Sequence, residues 1–165
     1  MRRPFPTYPP CPICGDPAVN HATLGMRWWW EEETRQVGGR FVPGAGHAGY
    51  SDRLHGGILL ALFDEALAWA CAMERGSFCY TGELTVRFHR ASRLGSAMEL
   101  AAWVVTARGR YVRAQGQALS ADGALLATAT GTYAALDRNE SLQLRCALRF
   151  HPGDVDPFAG GGKGP

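Results

Sequence analysis

The chain has 165 residues, of which 46% are hydrophobic and 19% are charged, and its formal net charge is +2. This composition fits one globular domain with an apolar core, and so small a net charge argues against a dedicated nucleic-acid binder. An odd number of cysteines, five, argues against a secreted disulfide scaffold. No apolar run approaches the ~18 to 20 residues of a membrane span, so we expect a cytoplasmic protein that does not bind membranes.

The N-terminal segment, residues 1–23, contains the motif Cys11-Pro12-Ile13-Cys14-Gly15. The two cysteines have the spacing of a zinc knuckle, but a structural zinc site normally has four ligands and no second cysteine pair follows. His21 would supply a third ligand and still leave the set incomplete. The sequence therefore favours a tight turn or a structural knuckle without metal.

Residues 24–42 have the pattern of a strand or a bent hairpin, with Trp28 and Trp30 on one face and Gly38-Gly39 at the bend. A glycine-rich loop over residues 43–55 follows and contains His47 and His55. We expect His47 to line a pocket. His55 stands directly before the next helix and is expected to cap it or to orient its glycine turn.

The next element is a helix predicted from about Gly57 to Glu74, with Gly76 as its stop signal. The glycines at its start, Gly56 and Gly57, leave backbone N–H groups without helical partners and let a ligand oxygen approach them closely. Those N–H groups and the positive end of the helix dipole suit an oxygen that becomes negative during a reaction.

Asp64 and Glu65 lie inside this helix, and no other charged residue occurs between Ile58 and Met73. Asp64 shares a helix face with Gly57, two turns or roughly 10 Å away. A carboxylate among apolar side chains is costly to bury, which favours a catalytic role for Asp64 over a solvated surface stripe. For Glu65 a structural hydrogen bond is favoured over a contact with substrate.

Strand patterns with few interruptions follow the helix. In the first of them, Leu84, Val86 and Phe88 alternate with polar residues and are expected to face inward. Asp122-Gly123 between two of these patterns is typical of a hairpin. The predicted strands span residues 82–90, 97–107, 110–121 and 124–136. This order predicts an α+β fold in residues 24–136, with a curved antiparallel sheet wrapped around one long central helix. The open edge of such a sheet favours pairing with a second copy.

Three motifs together resemble a known family. The strings His47-Ala48-Gly49-Tyr50, His55-Gly56-Gly57 and Asp64-Glu65-Ala66 resemble the H-x-G-Y…H-G-G…D-E-A pattern of hotdog-fold acyl-CoA thioesterases. The likeness is strongest to the branch that contains the phenylacetate-pathway and thioesterase-superfamily-member enzymes. It implies that Gly56 and Gly57 hold the thioester carbonyl while Asp64 attacks it or activates water. It further implies that Thr81 positions that water, and that neither a metal nor a cofactor takes part.

The resemblance implies an acyl-CoA or acyl-carrier-protein substrate and a homodimer, or a dimer-of-dimers tetramer, with active sites between subunits. Asp64 and Thr81 of one site would then come from different chains. Arg90 ends the first predicted strand after the helix and Arg93 lies in the loop that follows it, where they would bind the phosphates of coenzyme A. The alternative for each arginine is a solvated surface charge.

Other functions remain open at this point. An acyl-thioester dehydratase shares the fold, but its Pro-Gly helix entry does not match Gly56-Gly57. A non-catalytic protein that binds acyl-CoA or an aryl ligand would use the same pocket, and a nucleic-acid or zinc module is a third possibility. The acyl group is not determined, since the helix side chains would suit an aryl or a medium-chain pocket. In the C-terminal extension, residues 137–165, we expect the last dozen residues to be disordered.

Overall fold

The computed structural model describes residues 1–159, which form nine strands and two α-helices. The helices are α1 (Gly56–Arg75) and α2 (Arg138–Arg145). The strands are β1 (Arg2–Pro4), β2 (Trp28–Glu31), β3 (Gln36–Phe41), β4 (Ala48–Tyr50), β5 (Arg53–Leu54), β6 (Cys79–Phe88), β7 (Met98–Arg108), β8 (Tyr111–Ser120) and β9 (Leu125–Ala135).

Seven strands form one antiparallel sheet in the order β1-β2-β3-β7-β8-β9-β6, and β4 pairs with β5 in a separate ribbon. Helix α1 packs on the sheet and buries Leu62, Phe63 and Leu67 completely. Small inward residues of the sheet, including Ala102 and Ala114, let the helix approach it closely. The predicted α+β architecture, an antiparallel sheet with one long central helix, is confirmed.

Helix α1 begins one residue before the predicted start and ends one residue after the predicted end. Its first turn is capped by His55, and Gly76 ends it in the left-handed conformation with φ 63°. By length and composition this helix could also cross a membrane. In this structure, however, one face of it is buried on the sheet, which is the arrangement of a core helix.

The predicted bend at Gly38-Gly39 is wrong. Both glycines lie inside β3, opposite Trp29 and Trp28, and the chain reverses before it, where Arg35 has φ 53°. A Cβ atom on Gly38 would lie 2.4 Å from the Trp29 indole nitrogen, and one on Gly39 would lie 2.4 Å from the Trp28 ring. The glycines therefore make room for the indole rings of the neighbouring strand. A pair of glycines is typical both of a turn and of such a close contact within a strand, so the sequence did not distinguish them.

The strands after the helix lie within three residues of their predicted bounds. The hairpin at Asp122-Gly123 is confirmed, with Gly123 at φ 82°. On β6, Leu84 and Val86 are half-buried as expected, but Phe88 is 52% exposed. Phe88 is exposed because β6 is the edge strand and ends beside an open cleft.

Both terminal segments pack on the domain. In the N-terminal segment the Phe5 ring stacks on Trp69 at 4.6 Å between centroids. Near the C-terminus, Val155 is buried and its N–H donates to the Pro4 carbonyl at 2.8 Å, while Phe158 lies 4.8 Å from the ring of Phe78. Of the last dozen residues, for which the sequence predicts disorder, 154–159 therefore adopt defined contacts, and 160–165 lie outside the described residues.

Candidate active site

Asp64 lies half-buried in the third turn of α1, where the helix passes under the edge of the sheet. The hydroxyl of Thr81, on edge strand β6, donates a hydrogen bond of 2.7 Å to Asp64 Oδ1. The two residues that the sequence motifs single out thus meet, although 17 positions separate them. They meet within one chain, whereas the resemblance implied that they would come from different chains.

Tyr133, which sequence reasoning missed, is the second donor to Asp64. Its ring is completely buried on β9, and its hydroxyl lies 3.3 Å from Asp64 Oδ1 and 3.3 Å from the Asp64 carbonyl oxygen. Gly131 makes space for the ring, because a Cβ there would lie 2.6 Å from Tyr133 Cε2. Burial, and next the charge of Asp64, raise the pKa of Tyr133, so the phenol stays protonated and donates.

These contacts leave the Asp64 carboxylate in a fixed orientation with one oxygen available. Oδ1 accepts from both hydroxyls, whereas Oδ2 has no hydrogen-bond partner among residues 1–159. Donors that hold one oxygen orient the other, as preorganised sites require. Such a carboxylate can take a proton from water or attack an acyl carbon directly.

The two glycines at the start of α1 have different roles. The N–H of Gly57 donates to His55 Nδ1 at 2.9 Å, and the next N–H, from Ile58, donates to the His55 carbonyl at 3.0 Å. Within the described part of the chain, the N–H of Gly56 has no partner. The structure therefore places the free donor at Gly56, while Gly57 is engaged by the helix cap.

The loop histidines act through the backbone. Since His55 Nδ1 accepts a hydrogen bond, a neutral His55 ring carries its proton on Nε2, which can donate to a ligand oxygen. His47 Nδ1 accepts from Gly44 N at 2.9 Å, and the His47 carbonyl accepts from His55 N at 2.9 Å. These hydrogen bonds of His47 hold the loop that leads into the helix. The sequence predicted only that His47 lines a pocket.

A cleft of about 310 Å³ opens at the start of α1. Its lining includes Gly56, Leu59, Phe88 and Arg90, so the free N–H donor and one of the two candidate arginines share a cleft. Arg93 does not line it, and its guanidinium forms an ion pair with Asp52. Of the two arginines, only Arg90 therefore lines the cleft at the start of α1.

Glu65 lies away from this site. Its carboxylate faces the N-terminal turn, with Oε1 3.8 Å from the sulfur of Cys11. Burial, together with the charge of Cys11, raises the pKa of Glu65 to about 8. The hydrogen bond with Cys14 lowers the pKa of the Cys11 thiol to about 6 and raises that of Cys14. Glu65 therefore faces the cysteine turn, and not the hydroxyl donors of Asp64.

Comparison with known proteins agrees with this architecture. Residues 52–127, which contain helix α1 and both Asp64 and Thr81, match the family model of the thioesterase superfamily. No protein of curated function matches the chain significantly.

Solved structures share the fold at low sequence identity. A protein described as a thioesterase superfamily protein superposes with a TM-score of 0.67 at 22% identity, over 76% of this chain and 60% of that one. This chain therefore spans about three fifths of that relative's length. The PaaI protein of the E. coli phenylacetic acid degradation operon superposes with a TM-score of 0.63 at 19% identity, over 69% and 81% of the two chains. An acyl-CoA hydrolase from Staphylococcus aureus, in complex with butyryl coenzyme A and coenzyme A, gives a TM-score of 0.61 at 20% identity, over 65% and 66%.

The fold and the site define a hotdog-fold protein. The resemblance of its motifs to the thioesterases is confirmed by the thioesterase-superfamily match over residues 52–127, and a structure described as a thioesterase superfamily protein shares the fold.

Proposed function

We propose that this protein hydrolyses acyl-CoA thioesters to a free acid and a thiol, with Asp64 as the catalytic residue. The observation that carries the proposal is the Asp64 carboxylate itself, with Oδ1 held by Thr81 and Tyr133 and Oδ2 available. Acyl-CoA is favoured over an acyl-carrier-protein thioester because two structures of the same fold are described as complexes with butyryl or acetyl coenzyme A.

The reaction can follow two routes from this geometry. In the first, Asp64 Oδ2 takes a proton from water, the water oxygen bonds to the carbonyl carbon, and the departing thiolate receives the proton as the C–S bond breaks. In the second, Oδ2 bonds to the carbonyl carbon and expels the thiolate, and water then hydrolyses the resulting anhydride. In a single turnover in ¹⁸O-water, label in the Asp64 side chain identifies the anhydride route.

The separation of Gly56 and Asp64 along α1 favours a site that is shared between two chains. The two residues are eight positions apart on α1, roughly 12 Å of helix rise. The attacked carbonyl group must lie within about 3 Å of its hydrogen-bond donor and about 3.5 Å of the attacking oxygen. We therefore propose a homodimer in which the Gly56 N–H of one subunit faces Asp64 of the other, so that the second copy supplies the donor.

The surface around Asp64 suits such a dimer. Thr81 lies on β6, the edge strand of the sheet, and most of this strand is exposed in the single chain. Tyr80 and Phe88, at its two ends, are 61% and 52% exposed. An open edge with large exposed rings is the kind of surface that a second copy covers.

Arg90 is the residue we propose for binding the nucleotide end of coenzyme A. It lines the cleft at the start of α1, and its guanidinium can bind a phosphate with two parallel hydrogen bonds. All five cysteines are free thiols, which suits the cytoplasm that we propose as the location of the protein.

The test is thiol release from short, medium, long and aryl acyl-CoA substrates and from an acyl-carrier-protein thioester. Asp64→Asn is expected to lower turnover at least about a hundredfold, or ~2.7 kcal/mol of transition-state stabilisation. The matched control is Asp137→Asn, which keeps a good N-cap for helix α2, leaves Asp64 and its two donors unchanged and is expected to keep wild-type turnover.

Three outcomes would overturn the proposal. Tight acyl-CoA binding without turnover on any substrate would make the protein a binding module. Release of water from a 3-hydroxyacyl-CoA without thiol release would make it a dehydratase. Turnover unaffected by Asp64→Asn would show that another residue is catalytic.

A further inference from the structure

A second cluster of reactive side chains lines a cavity that shares no lining residue with the cleft at Gly56. The two cysteine sulfurs of the Cys11–Cys14 turn and a carboxylate oxygen of Glu65 all lie within 4.8 Å of one another. The turn precedes β2, whereas Glu65 lies 54 positions after Cys11 in helix α1. His21, the third ligand considered from the sequence, is not part of this cluster.

The spacing of the three ligand atoms fits a tetrahedral metal ion. Zinc bonds of about 2.3 Å to sulfur and 2.1 Å to oxygen place the ligand sulfur and oxygen roughly 3.6 Å apart. The Cys11 sulfur lies 3.8 Å and 3.9 Å from the two oxygens of Glu65. Only small side-chain adjustments are needed to close this set around an ion.

The backbone of the turn is arranged to stabilise a thiolate. The N–H groups of Ile13 and Cys14 donate to the Cys11 sulfur at 3.3 Å and 3.4 Å. The turn is closed by a 3.1 Å hydrogen bond from Gly15 N to the Cys11 carbonyl. It requires glycine at that position, because a Cβ on Gly15 would lie 2.1 Å from the same carbonyl oxygen. N–H groups directed at sulfur favour the deprotonated form, which is the form that binds metals.

Glu65 lies at this turn without a cationic partner. No lysine, arginine or histidine in residues 1–159 forms an ion pair with its carboxylate. A carboxylate removed from water needs either a compensating positive charge or neutralisation. A divalent ion between this carboxylate and the two sulfurs would provide that charge.

The fourth side of the cluster is open. A cavity of about 260 Å³ has the two sulfurs and Glu65 on its wall, and the rest of its lining is largely apolar, including Trp69 and Phe78. Three protein ligands and one open position are typical of a zinc ion that accepts water or a small ligand, whereas structural zinc is closed by four protein ligands.

We propose that Cys11, Cys14 and Glu65 bind one zinc ion whose fourth position faces this apolar cavity. Zinc binding releases the protons that these three side chains carry in the metal-free protein, since the ion is bound by thiolates and a carboxylate. The ion links the N-terminal turn to helix α1 at the residue next to Asp64. The sequence argued against a metal because it showed two ligands close together and gave no sign that Glu65 would join them.

The experiment uses the full chain, stripped of metal with a chelator and kept reduced. Zinc affinity is measured by competition with a chromogenic chelator, and Co²⁺ replaces zinc as a spectroscopic probe. One ion per chain is expected, with a thiolate-to-cobalt charge-transfer band and the intense visible bands of a tetrahedral site. Bound zinc is also expected to raise the melting temperature, because it binds the folded chain.

Variants separate this site from adventitious binding. Two variants, Glu65→Gln and Cys14→Ser, are each expected to weaken zinc binding by at least about tenfold. Glu65→Gln keeps the shape of the side chain. Tenfold is the lower limit because loss of a residue that only hydrogen-bonds to a metal ligand already lowers metal affinity about 10- to 100-fold. Cys146→Ser changes an exposed cysteine outside the cluster and leaves affinity unchanged. If Cys14→Ser does not fold, Glu65→Gln decides alone. No zinc uptake by the reduced wild type, or affinity unchanged in Glu65→Gln, would overturn the proposal.

Discussion

Replacing Gly56 with proline removes one backbone N–H group from the first turn of helix α1 and little else. Gly56 is the first helical residue, where proline is well tolerated because its N–H would make no helical hydrogen bond. The preceding residue, His55, has φ −64° and ψ 128°, the extended conformation that proline requires before it. We therefore expect the free energy of unfolding to change by less than about 0.5 kcal/mol.

The expected loss of activity is large because the missing group is the proposed donor to the thioester oxygen. Among residues 1–159, no hydrogen bond engages the N–H of Gly56, which lines the cleft at the positive end of the helix. Removing one such donor costs about 10²- to 10³-fold in kcat, or roughly 2.7 to 4 kcal/mol. Thiol release from the best acyl-CoA substrate measures this. Gly56→Ala is the matched control, since it keeps the N–H and its Cβ would lie 3.4 Å from Phe88, an ordinary contact.

The same variant tests whether the site is shared between subunits. Gly56→Pro and Asp64→Asn, each nearly inactive, are co-expressed with different tags. If each site combines Gly56 of one subunit with Asp64 of the other, every mixed dimer has one intact site. A random equal mixture then recovers about one quarter of wild-type turnover. No recovery would place both residues in one subunit, and full kcat in Gly56→Pro would refute the assignment of the donor.

Other predictions follow from single contacts. Tyr133→Phe removes a hydroxyl from the helix carboxylate and is expected to lower kcat about tenfold or more, with the protein still folded; unchanged kcat in thiol-release assays would show that the hydroxyl is idle. Gly39→Ala would put a Cβ 2.4 Å from the Trp28 ring and is expected to lower the free energy of unfolding, measured by urea titration, by about 1 to 3 kcal/mol. Its control is Gly44→Ala, which has open space around the added Cβ and is expected to leave that free energy nearly unchanged. Arg145 lowers the pKa of Asp156, so this carboxylate stabilises the fold above its unfolded pKa and the benefit is lost as pH falls through the lower folded pKa. Asp156→Asn is accordingly expected to lower the free energy of unfolding by up to about 1 kcal/mol at pH 7 and to leave it unchanged in strong acid. A difference in melting temperature between variant and wild type that does not depend on pH would contradict the ion pair.

The elements that the sequence predicted correctly have local signals. Helix α1 is marked by paired glycines at its start, an apolar run and Gly76 at its end, and the structure differs by one residue at each end. The hairpin at Asp122-Gly123 is equally local, since the turn residues lie between the strands that they join. Asp64 could be selected from the sequence as a candidate site residue because a lone acidic pair in an apolar helix is costly wherever that helix packs.

Contacts between distant segments were not predictable in this way. Tyr133 reaches Asp64 across 69 positions, and its only local signal is a bulky polar residue after the small inward side chains of β9. Gly38 and Gly39 have the composition of a turn, and only the position of the neighbouring indole rings shows that they lie within a strand.

The sequence by itself determined the helix, the antiparallel strands and the carboxylate at Asp64, because these depend on periodicity, turn residues and the cost of burying charge. The tertiary structure alone decided that Gly56, and not Gly57, has the free N–H, because the ring of His55 folds back over the helix start. It also decided that Glu65 faces Cys11 and Cys14 while its neighbour Asp64 faces Thr81. Adjacent helical residues point about 100° apart, so two carboxylates next to each other in the sequence belong to two different sites.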